Sequence, residues 1–62
     1  MDLKQACVFE EYYFGLKANG WPKLEAAKAA RRHVRRMAPR QINKEVTRIL
    51  ADRQRRAEMG RR

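Results

Sequence analysis

Five cations dominate the middle of the chain: Lys28, Arg31, Arg32, Arg35 and Arg36. At about 100° per residue they fall on one side of a helix, and no Asp or Glu stands among them. Side chains of this kind in this pattern bind anions. Arg neutralises phosphate or makes a bidentate contact with guanine, whereas Lys28 is suited mainly to phosphate. Like charges four residues apart, Arg31 with Arg35 and Arg32 with Arg36, repel by roughly a few tenths of a kcal/mol each. A helix that tolerates this repulsion without interspersed acids favours an anionic contact over a solvated face that only aids solubility. Arg40, Lys44, Arg48 and Arg55 extend the candidate nucleic-acid-binding set into the next segment.

Catalytic chemistry is poorly provided for. The chain has no Ser, one Thr, one Cys and one His. Glu10 and Glu11 are adjacent, so on a helix they diverge by about 100°. No glycine loop is spaced to cradle a phosphate. We therefore expect no enzyme, no cofactor and no metal. Cys7 cannot form a disulfide within the chain, and Cys7 with His33 falls short of the four ligands of structural zinc. Cys7 is read as a small core residue and His33 as a packed or half-exposed one.

The elements that must carry these residues are set by length and punctuation. Sixty-two residues make one small domain, and a chain this short buries only about 60% of its unfolded surface. Residues 1 to 22 hold all five aromatics (Phe9, Tyr12, Tyr13, Phe14 and Trp21) and a slight excess of acid. Residues 23 to 62 hold fourteen Lys and Arg against four acids and account for all of the net +9 charge. Asn19-Gly20 reads as a helix end, and Pro22 and Pro39 each suit a helix start. The expected architecture is all-α: helix 1 at about 3–18, helix 2 at about 22–37 and helix 3 at about 39–59, with a frayed basic tail over 60–62.

Periodicity assigns the faces. Helix 2 sets Ala26, Ala27, Ala30, Val34 and Met37 opposite its cations. Helix 3 carries an apolar stripe of Ile42, Val46, Ile49, Leu50 and Ala57, with Glu45 placed to pair with Arg48, and Asp52 with Arg55 or Arg56. Helix 1 is apolar almost all round: Leu3, Cys7 and Phe14 share one side, Ala6, Phe9, Tyr13 and Leu16 continue from it, and Val8 and Tyr12 cover much of the rest. Two small helices cannot cover such a surface, which predicts a homodimer through helix 1 with Phe9, Tyr12, Tyr13 and Leu16 at the interface. Phe9, Phe14 and Trp21 are expected to be core.

Several partners compete for the basic face. Duplex DNA, read by helix 2 in the major groove with helix 3 assisting in a regulatory role, is the leading expectation. The helix-turn-helix pattern fits poorly, since Met37-Ala38-Pro39 lacks the usual glycine. For RNA, the stretches Arg31-Arg32-His33-Val34-Arg35-Arg36 and Arg53-Gln54-Arg55-Arg56-Ala57-Glu58 resemble the arginine-rich helices of phage antitermination N proteins, which implies binding to RNA hairpins. Single-strand binding is disfavoured because no aromatic lies among the basic residues. A different class of function is a small helical inhibitor or adaptor that binds a host or partner protein, whose target is an acidic surface or a groove that accepts helix 1 through its aromatic face. No apolar run spans a membrane, Glu10 and Glu11 interrupt any leader-like segment, and the expected compartment is the cytoplasm.

Overall fold

The computed structural model describes residues 1–60. It contains three α-helices, α1 (Leu3–Ala18), α2 (Lys23–Arg36) and α3 (Pro39–Met59), and no strand among the described residues. The expected bounds of the first and third helices hold. The second is shorter by one residue at each end, because Pro22 and Met37 have extended backbone and serve as its caps. Arg61 and Arg62 of the expected basic tail lie outside the described residues.

Each helix end has a local cause. Asp2 caps α1: its Oδ1 accepts from the Gln5 N–H at 2.8 Å, and Gln5 Oε1 accepts from the Asp2 N–H at 3.0 Å. At the other end Gly20 takes φ 91°, the Trp21 N–H donates to the Leu16 carbonyl and the Gly20 N–H to that of Lys17, both at 3.0 Å. That is a Schellman closure, and it turns the chain sharply towards α2. Pro39 opens α3, and Gln41 Oε1 accepts from the Ala38 N–H at 3.0 Å.

Both α2 and α3 pack against α1. The core is small. Val8 of α1 meets Val34 of α2 and Ile42 and Ile49 of α3, with Cys7, Phe9, Met37 and Val46 half-buried around them. Ala26 and Ala30 of α2 are completely buried. Their short side chains let α2 approach its neighbour closely, while its cations remain outside. Lys4 Nζ donates to Asn43 Oδ1 at 2.8 Å, and Arg53 lies 3.8 Å from Glu11, so α1 and α3 advance in the same sense.

Three expectations about burial are corrected. The core contact of α1 is Val8, with Cys7 and Phe9 packed beside it, whereas Leu3 and Phe14 face solvent: Leu3 is 90% and Phe14 63% exposed. Trp21 is also exposed rather than core, whereas Phe9 does pack against the core. In α3 only the first part of the apolar stripe is used, and Leu50 and Ala57 are exposed. The flattened molecule, 38 × 29 × 14 Å, has too little depth to enclose them.

Candidate nucleic-acid interface

The buried Ala26–Ala30–Val34 seam decides which way the α2 cations point. With that edge against α1, Lys28, Arg31, Arg32, Arg35 and Arg36 all lie on the exposed side of α2. No carboxylate of the described residues comes within 4.0 Å of any of them; the ion pairs there are Arg48–Glu45, Arg53–Glu11 and Arg56–Asp52. Glu25, the one acid of α2, does not pair with them either.

The surface between these side chains forms three adjoining hollows. Lys28, Arg31, Arg32 and Arg35 line the first. Arg32 and Arg36 flank the second, together with Ala29, His33 and Tyr12. Arg36 and Arg40 flank the third, at the α2–α3 corner, with Ala38, Pro39 and Gln41. Because Arg32 and Arg36 are each shared, the hollows form one continuous basic strip from Lys28 to Arg40. Its cations are mostly guanidinium groups, whose fork geometry suits phosphate oxygens.

The remaining candidates on α3 stand apart. Lys44 and Arg55 are exposed. Arg48 is committed to Glu45, donating from Nε at 3.2 Å and from Nη2 at 2.8 Å. The hydrogen bond and negative charge of Glu45 push the Arg48 guanidinium further up from its ordinary range. The Glu45–Arg48 pair and the Asp52–Arg56 pair, at 3.2 Å, follow the helical spacing read from the sequence.

The expected interface residues of α1 are partly used within the chain. Phe9 and Tyr13 stack with centroids 6.0 Å apart, and Tyr13 meets Phe14 edge-on at 5.1 Å. Tyr12 lies on His33, with centroids 4.1 Å apart and ring planes 9° apart. Leu16 is half-buried. The Tyr12–His33 stack corrects one premise, that no aromatic lies among the basic residues. His33 stands in the arginine run itself, and the fold lays Tyr12 upon it from a helix distant in sequence.

The chain matches no family model, no curated protein and no solved structure. A functional reading therefore stands on the geometry. Among the described residues no group of three or more His, Cys, Asp or Glu side chains could hold a metal ion, and no helix is long and apolar enough to cross a membrane.

Proposed function

We propose that this protein is a small, non-enzymatic nucleic-acid-binding protein that holds the backbone of duplex DNA on the basic strip of α2, in a regulatory role. One observation carries the reading: five cations share an exposed helix face, and no described carboxylate neutralises any of them. Arg40 extends that face, and Lys44 and Arg55 offer peripheral contacts. Arg48 contributes less, because Glu45 already engages it.

The test is a salt-series anisotropy titration with duplex DNA. Five phosphate contacts give a slope of log affinity against log salt of about −4 to −5, and a dimer using two strips about twice that. Replacing Arg32 and Arg35 together with Ala flattens the slope by about two per subunit and leaves helicity intact, since Ala is the better helix former. Unchanged affinity and slope would make the basic face solvent decoration and end this reading.

We also propose a homodimer through α1, with its centre moved to the exposed Leu3–Phe14 side. The accessible surface is 5412 Å², against about 4,200 Å² for a compact monomer of 7.4 kDa. The excess is comparable to the ~800 Å² that one partner buries in an interface of standard size. The same exposed side chains, with Trp21 and Leu24, support a second reading, an inhibitor or adaptor that docks a partner protein. Such binding would depend only weakly on salt.

A further inference from the structure

The middle hollow of the basic strip differs from its neighbours in having an aromatic wall. Tyr12 reaches it from α1 and lies flat on His33 of α2. Tyr12 remains exposed and His33 half-exposed. Ala29 contributes only a methyl group to the hollow, which leaves it open above the helix. Arg32 and Arg36, one turn apart, flank the rings, and neither has a described carboxylate within 4.0 Å.

Stacked rings beside two unneutralised guanidinium groups match the chemistry of an unpaired nucleotide. The base offers a π-face to the rings, and its phosphates meet the cations. A base inside a continuous duplex cannot reach such a wall, because its neighbours cover both of its faces and it must first leave the stack. An unstacked base has already met that cost.

We infer that this hollow receives one unpaired base, at a bulge, a gap or a strand end, while the cations on either side hold the flanking backbone. The inference rests on the nucleic-acid reading above and narrows its substrate. The strip takes continuous duplex through phosphates alone, and takes a nucleic acid with an unstacked base more tightly. A DNA strand and an RNA strand supply the same base and phosphate chemistry.

The full chain is titrated against a matched DNA duplex, the same duplex carrying one bulged 2-aminopurine, and the corresponding bulged RNA, each across a salt series. The bulged DNA, the bulged RNA or both bind roughly 5- to 100-fold more tightly than the matched duplex, which is the range that base stacking on one aromatic supplies. The 2-aminopurine fluorescence falls on binding. The salt slope is the same for the matched and bulged DNA, because stacking releases no counterions. Tyr12→Leu abolishes the preference and leaves affinity for the matched duplex in place, whereas Tyr12→Phe retains the preference.

Equal affinities with unquenched fluorescence overturn the inference and leave duplex binding standing. Equal weakening of every probe by Tyr12→Leu also overturns it, by reducing Tyr12 to a support for α2. Failure of every probe to bind overturns the nucleic-acid reading as well. Should Tyr12→Leu fail to fold, the wild-type comparison of probes and the fluorescence decide the matter.

Discussion

At the scale of single residues, the same substitution has opposite effects at two glycines. Gly20 holds φ 91° in the turn that closes α1, so Gly20→Ala forces a side chain into the left-handed region and costs about 1 kcal/mol. Gly15 lies inside α1, and a Cβ placed there meets nothing within 4 Å. Gly15→Ala therefore stabilises by about 0.5–1 kcal/mol, through the lower backbone entropy of the unfolded chain and the better helix propensity. Urea unfolding of the two variants measures both signs. Two arginines are separated by a similar argument. Arg36 has no described acidic partner and belongs to the strip, whereas Arg48 is engaged by Glu45. Arg36→Ala reduces the salt slope of DNA binding by about one per subunit, and Arg48→Ala leaves it nearly unchanged, as the same anisotropy titration reads out. The Arg48 shift is upward, so its stabilising effect is complete below the ordinary arginine range and fades only as pH rises beyond it. It therefore gives the proposed DNA binding no pH dependence near neutrality.

At the scale of elements, the three helices are secured very unequally. Ala26, Ala30 and Val34 fix α2 along a buried seam, and Val8 gives α1 contacts with both partners. In α3 the buried anchors are Ile42 and Ile49, and from Arg53 to Met59 every side chain is exposed. Hydrogen exchange then grades along the chain: amides around Ala30, Val34 and Ile49 are the most protected, and those of the last two turns of α3 exchange fastest. Equal protection along the whole of α3 contradicts this gradient and requires a partner on its far end. The element boundaries were legible in the sequence because their causes are local. Asn19-Gly20, Pro22 and Pro39 each act within one turn. The division of α2 into an alanine edge and a cationic face was legible for a related reason, since from Ala26 to Arg36 its alanines, Val34 and cations follow one period.

At the scale of the whole molecule, a marginal core and a large wet surface make assembly the decisive property. Phe9 packs against the core and Phe14 does not, so charge at the two positions acts differently. Phe9→Glu unfolds the chain. Phe14→Glu dissociates a dimer, with the loss of stability that follows when folding and association are linked. Sedimentation at micromolar concentration gives a dimer mass for the wild type and a monomer mass for Phe14→Glu; a wild-type mass of one chain at all concentrations ends the dimer proposal. Helix 1 could not be resolved from its own sequence, because it is apolar on nearly every side and no period singles out a core face. Only the positions of α2 and α3 selected Val8 as its inner contact and left Leu3 and Phe14 outside.

The sequence by itself determined three helices, their ends to within a residue, and a helix face of five cations with no acid between Lys28 and Arg36, because caps, prolines and a 3.6-residue period are properties of neighbours along the chain. Tertiary structure decided what those neighbours could not. It chose the buried side of α1, joined Arg36 to Arg40 around the α2–α3 corner, and laid Tyr12 on His33 beside Arg32 and Arg36. Tyr12 and His33 are twenty-one residues apart, and the contact exists only because the alanine seam draws α2 against α1. Sequence spacing carries no signal for such a meeting, since it depends on which faces two helices present once both are packed.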